Sequence, residues 1–155
     1  MTSNVGGMAA PTYTPSHAGI CVSDLDASIR FYCEGLGFEL AERYDLTSDA
    51  MPGLDASLEV PGPITLTSQM IVSGSMKIEL LHYPGRAAEG TPSTSRGQLG
   101  LTHLSFNVDQ VDSAADRLVE FGGTILEHTR SDAGIVLLFL TDPDGTRVEL
   151  MGGAG

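Results

Sequence analysis

The chain has 155 residues, 41% of them hydrophobic and 18% charged, which fits one globular domain or two small similar halves and excludes disorder as the main state. Twenty acidic against eight basic residues give a net charge of −12. That field repels phosphate backbones and anionic lipid, so neither nucleic acid nor a membrane is an expected partner, although a small anionic substrate in a local cationic pocket is compatible with it.

Residues 1–15 contain Gly6, Gly7, Pro11 and Pro15 and no charged side chain, and are expected to form a flexible arm. They lack a positive n-region and an apolar h-region, and no run of about 18 apolar residues follows, so cytoplasm is the expected compartment. Residues 18–22 alternate apolar with small or polar side chains, the period of a half-buried strand. Ser23 stands where a helix begins, with Asp26 three residues on, and Leu25, Ile29 and Tyr32 share one face at helical spacing. Gly35 falls where a left-handed C-cap is expected. Strand-like runs follow at 38–44, 69–73 and 76–83. Residues 45–68, rich in Pro, Gly, Ser and Thr, read as a long loop over a site or a lid. The polar stretch 86–100 reads as a linker. The two cysteines, Cys21 and Cys33, form neither a disulfide framework nor a CxxC pair, and read as reduced thiols, buried or lining a pocket.

The order of elements then repeats. Residues 104–108 alternate as a strand, Asp109 with Asp112 opens a helix, and Val111, Ala115, Leu118 and Phe121 form its apolar face. Gly122 is the expected C-cap, and strands are expected at 124–129, 135–140 and 146–151, with Asp142-Pro143-Asp144-Gly145 as the last turn. His17 and His103 are 86 positions apart, as are Val22 and Val108, and Asp26 and Asp112. The reading is an α+β chain of two βαβββ modules: 16–85 with its insertion 45–68, the linker 86–100, and 101–151, together one domain over 16–151.

Strand alternation puts His17, Gly19 and Cys21 on one face and Ala18, Ile20 and Val22 on the other. It likewise groups His103, Ser105 and Asn107; Lys77, Glu79, Leu81 and Tyr83; and Arg147, Glu149 and Met151. A single strand histidine is usually a satisfied structural residue, and a strand glutamate usually faces water. Here two of each recur at equivalent repeat positions, on polar faces whose backs are apolar. A buried carboxylate pair is expensive without a cation, and two imidazoles with two carboxylates suit a divalent transition ion that keeps positions open for water or substrate. His82 points to the apolar side and reads as packing or as a support behind the ligands; His128 lies in a polar run and receives no role.

At these residues the chain resembles the vicinal oxygen chelate superfamily, which includes glyoxalase I, methylmalonyl-CoA epimerase, extradiol dioxygenases and the fosfomycin- and bleomycin-resistance proteins. The matching stretches are HAGICVSDLDASIRFYCEGLGFEL from His17, KIELLH from Lys77, LTHLSFNV from Leu101 and DPDGTRVEL from Asp142. The resemblance implies paired modules forming a cup-shaped, mostly antiparallel sheet around one metal, with helices outside. It places His17, Glu79, His103 and Glu149 where glyoxalase I has its four ligands, with nickel, cobalt, zinc, manganese and iron all compatible. Bacterial glyoxalase I has an arginine at the position of Cys21 and an asparagine at that of Tyr83, both used to hold glutathione. A thiol and a phenol do not reproduce a guanidinium's bidentate grip, so glutathione is not the expected thiol.

The expected activity is that of a metal-dependent lyase or isomerase, of lactoylglutathione-lyase or epimerase type, on a small molecule with vicinal oxygens. Glu149 is the first candidate for the base and Glu79 for its partner. Cys21, Tyr83, Ser105, Asn107 and Arg147 are the expected pocket residues, Arg147 as a holder of a substrate anion. Two alternatives stand: an Fe(II) extradiol-type dioxygenase, and non-catalytic binding of a small molecule or antibiotic. A homodimer is expected because each half leaves sheet edges open, with the modules pairing within one chain or across two.

Overall fold

The structure is a computed structural model and describes residues 11–153; residues 1–10 of the expected N-terminal arm lie outside the described residues. Among the described residues there are two four-stranded sheets. The first contains β1 (Ala18–Cys21), β2 (Glu39–Thr47), β3 (Thr65–Ser73) and β4 (Met76–His82) in the order β1-β4-β3-β2. The second contains β5 (Leu104–Gln110), β6 (Thr124–Ile125), β7 (Val136–Thr141) and β8 (Arg147–Gly153) in the order β5-β8-β7-β6. In each sheet the first strand runs parallel to the last and the remaining pairs are antiparallel. The crossover helix makes this possible, because parallel neighbours cannot be joined by a tight turn. Both halves are therefore βαβββ, with β1 and β5 each at a sheet edge.

Several boundaries differ from the sequence reading. The first helix, α1 (Leu25–Ile29), is capped by Asp24, whose carboxylate accepts from Ala27 N–H at 3.0 Å. Ser23 is not the cap because its own N–H and hydroxyl are held by Asp144. The helix widens into a π-helical segment, Arg30–Gly35, with Phe31 and Tyr32 fully buried. Gly37, not Gly35, takes the left-handed conformation that follows, at φ 79°. In the second half, β5 runs on through Gln110, which pairs with Gly153, so α3 (Val111–Glu120) starts after Gln110 and Asp109 does not cap it. Gly122 does adopt positive φ, at 95°. The strand expected at 124–129 stops after Ile125. Thr129 Oγ1 there donates to Leu126 O and accepts from Phe139 N–H, so a side chain replaces the ladder and a short 3-10 turn forms over Glu127–Thr129.

The insertion is only partly a loop. Its ends extend the β2–β3 hairpin, with Thr47 opposite Thr65 and Tyr44 opposite Ser68. Between them lies a short turn of helix, α2 (Leu54–Ser57), anchored by buried Leu54 and Ile64.

One apolar core joins the halves. Ile20, Ile71, Ile78 and Leu80 from the first sheet meet Leu104, Leu138, Leu140, Val148 and Leu150 from the second, with Phe31, Tyr32, Ala115 and Leu118 of the helical segments among them. Each fully buried aliphatic contributes about 1.5–3 kcal/mol. Arg117 donates to the carbonyls of Glu34 and Gly35, locking α3 against the π-helical segment. Within one chain the modules thus meet through their apolar backs and helices. The polar face of each sheet is turned away from that shared core.

Candidate metal centre

The site residues form two half-sites of like construction. On the first module, the parallel register puts Gly19 opposite Glu79, and His17 just before β1 reaches the same carboxylate, Nε2 to Oε2 at 3.0 Å. On the second, Ser105 lies opposite Glu149, and His103 Nε2 is 3.5 Å from Glu149 Oε2. In both, the residue before the histidine supplies a hydroxyl to Nδ1: Ser16 Oγ at 3.0 Å and Thr102 Oγ1 at 2.8 Å. That contact fixes the ring and leaves Nε2 facing the glutamate, much as a hydrogen bond to the far nitrogen orients a ligating histidine.

Each glutamate is held by one serine, from different sides. Ser105 Oγ on β5 donates to Glu149 Oε2 at 2.7 Å. The equivalent position on β1 is Gly19, which has no side chain; Ser68 Oγ on β3 donates to Glu79 Oε1 instead, at 2.5 Å. Ser68 was missed in the sequence because it fell inside the presumed loop; extending the alternation of β3 back from Gln69 would have found it. Phe139, opposite Glu149 in the β7–β8 register, sets its ring edge-on to His103 with centroids 5.4 Å apart.

The structure brings His17 to Glu79 and His103 to Glu149, but it does not bring the pairs together. Among the described residues of one chain, no three His, Cys, Asp or Glu side chains gather around a common point. The cause is the shared core, which turns the two polar faces away from each other. The donor set nevertheless fits a divalent ion: each half-site presents an imidazole nitrogen and a carboxylate oxygen converging on one another, both orientated by hydroxyls.

Cys21 and Tyr83 line a cavity of about 170 Å³ with Arg86 and with Glu59, Val60 and Pro61 of the insertion. The insertion therefore does lean on the pocket, through its C-terminal part. Burial pushes the Cys21 thiol up, and Asp144 adds to the effect. The Tyr83 phenol is raised by burial, then by Cys21 and Glu79, with Arg86 opposing. Both groups are neutral hydrogen-bond donors around neutral pH. Asn107 is exposed at the site face of β5. Arg147, on the site face of β8, donates through Nη2 to Thr94 O. Lys77 pairs with Glu42 at 3.0 Å, His82 borders an open groove with Arg43 and Asp26, and His128 is exposed in the 3-10 turn.

Comparison with known proteins agrees with this architecture. The family model described as Glyoxalase/Bleomycin resistance protein/Dioxygenase superfamily matches residues 14–150. A probable lactoylglutathione lyase of Synechocystis is 30% identical over 139 residues, covering 87% of this chain and 92% of its own. A glyoxalase family protein from Bacillus cereus superposes with a TM-score of 0.76 at 21% identity, covering 96% of this chain and all of the other. Glyoxalase I from Zea mays superposes with a TM-score of 0.62 at 26% identity, over 90% of this chain and 44% of that one.

Proposed function

Because the chain belongs to the glyoxalase/bleomycin resistance protein/dioxygenase superfamily, we propose that it is a metal-dependent lyase or isomerase that moves a proton next to a chelated carbonyl of a small molecule. The working unit is a homodimer in which the His17–Glu79 pair of one protomer meets the His103–Glu149 pair of its partner. The observation that carries this reading is the duplicated His–Glu half-site, built twice with the same hydroxyl on Nδ1 and set on faces that point away from the shared core. The edge positions of β1 and β5, next to the two histidines, support it, since open edges are normally paired or covered. So does the naming of several relatives as lactoylglutathione lyases.

His17, Glu79, His103 and Glu149 would hold one divalent ion, which when bound polarises the substrate carbonyl oxygen as a Lewis acid. Glu149 then takes the proton from the adjacent carbon and returns it on the neighbouring one. It suits that task through placement: it is nearly buried, at 8% exposure, and Ser105 holds one oxygen while leaving the other free to accept. Glu79, similarly held by Ser68, faces it from the other half-site and serves as the partner for a substrate of opposite hand. Phe139 covers one side of His103 and keeps water from that edge of the site.

The test is metal content of protein purified without added metal, coupled to solvent-deuterium exchange into 2-oxoaldehyde–thiol adducts, acyl-CoAs and catechols. One ion per pair of half-sites and exchange next to a carbonyl are expected. Glu149→Gln, which coordinates through oxygen but is no base at neutral pH, keeps the metal and loses exchange. Oxygen consumption with ring cleavage, or ligand binding without turnover, would overturn the proposal.

A further inference from the structure

Two arginines beside the His103–Glu149 half-site lack a carboxylate partner among the described residues. In a molecule of net charge −12, Arg43, Lys77 and Arg130 are engaged by neighbouring carboxylates. Arg96 and Arg147 are not. Arg96 makes no hydrogen bond or ion pair with the described residues, and its guanidinium lies over the Phe139 ring, 4.3 Å from the centroid. Arg147 spends Nη2 on Thr94 O, while its Nη1 is buried with no hydrogen-bond partner. A buried cationic donor left unsatisfied costs about 1–3 kcal/mol or more, and calls for an acceptor.

Both belong to the same face as Glu149. Arg147 precedes it by two residues on β8, and Phe139, beneath Arg96, sits opposite Glu149 with Thr141 opposite Arg147. Phe139 is therefore the diagonal neighbour of Arg147, about 7–8 Å away at the backbone, within reach of two long side chains. Residues 91–94 pass over this corner and, with Arg147, Thr141 and Gly145, enclose a cavity of about 310 Å³. Asp144, the carboxylate on its wall, is already taken up by the Ser23 N–H and hydroxyl.

We propose that Arg147 and Arg96 form an oxyanion-recognition pair beside the His103–Glu149 half-site, so that the substrate carries a carboxylate or phosphate group about 7 Å, two strand residues, from its reacting oxygens. Arg147 supplies the fixed, fork-shaped donor. Arg96, held among the described residues only by its ring contact, supplies the second cation from above Phe139. This rests on the reaction being placed at that half-site. It also accounts for how a chain with Cys21 in place of a family arginine retains a handle for an anionic substrate.

The experiment is a titration of the dimer with inorganic phosphate and, separately, with malonate, followed by the Nε–H signals of the arginine side chains. Saturable shifts of Arg147 and Arg96 are expected in at least one arm, and the tighter arm identifies the group. Arg147→Gln weakens that binding about tenfold or more. Arg96→Gln, which removes no hydrogen bond, weakens it several-fold and keeps the test decisive if the first variant fails to fold. Arg30→Gln, of equal charge change but stacked on Phe121, leaves it unchanged. No saturable shift with either probe, or equal weakening in the Arg30 variant, overturns the assignment. Metal content of the same samples separates the two readings. Lost oxyanion binding with full metal refutes the arginine pair alone, and absent metal refutes the proton-transfer reading alone.

Discussion

Tyr32 Oη donates to Asp142 Oδ2 at 2.9 Å, joining residues 110 positions apart. It is a buried polar link between the modules: Tyr32 belongs to the π-helical segment of the first, and Asp142 opens the turn between β7 and β8 of the second. Asp142 Oδ1 meanwhile accepts from the backbone N–H of Asp144 and Thr146, so the same carboxylate shapes the turn and ties it down. Tyr32→Phe leaves the ring packing against Phe31 and Phe38 intact and removes only the bond. A loss of about 2 kcal/mol is expected in denaturant unfolding, at unchanged m-value.

That carboxylate also makes stability depend on pH. Burial raises the Asp142 pKa above its ordinary value of 3.8, more than its hydrogen bonds lower it. The folded state therefore binds this proton more tightly than the unfolded state. Its contribution is most favourable at low pH and declines as pH rises from about 3.8 through the raised folded value. Asp142→Asn keeps an acceptor for the turn and removes the titration. The difference in unfolding free energy between variant and wild type, measured from pH 4 to 7, is expected to shift in favour of the variant as pH rises. A constant difference would show that Asp142 has an ordinary pKa.

The serine supports of the glutamates give a separable pair of effects. Ser68→Ala frees Glu79 and Ser105→Ala frees Glu149, each removing one charge-assisted bond from a candidate ligand. Metal affinity is expected to fall about 10–100-fold in each, read by competition with a chelating dye. Proton exchange should suffer further only in the Ser105 variant, because Glu149 is the proposed base. Equal loss of exchange in both would make the glutamates equivalent.

Whether the half-sites meet across chains is decided by mixing. Co-expressing a His17→Ala chain with a His103→Ala chain and isolating the heterodimer should yield one site with all four ligands and one with neither histidine. Metal analysis is then expected to give one tightly held ion per heterodimer. Two equally weakened sites and no intact one would mean that the modules close on each other within a chain.

Much of this molecule is legible in its residues. The 86-residue offset between His17 and His103 marks the duplication, and alternation assigns each of the four candidate ligands to a polar strand face whose back is apolar. Those are local properties, set by side-chain period and turn chemistry, and the βαβββ order follows from them. Tertiary structure decided what local pattern cannot. Ser23 yielded the helix cap to Asp24 because Asp144, 121 positions away, holds it. Ser68 became a support for Glu79 because β3 begins earlier than its loop-like composition suggests, paired on both sides by β2 and β4. Arg96, in a polar linker with no periodicity, acquired a position only when the chain folded back over Phe139. The half-sites, alike in sequence, point away from each other because the apolar backs of both modules and their helices share one core. Burial of those backs is a non-local, non-directional demand, and no repeat, motif or spacing along the chain encodes which module satisfies it.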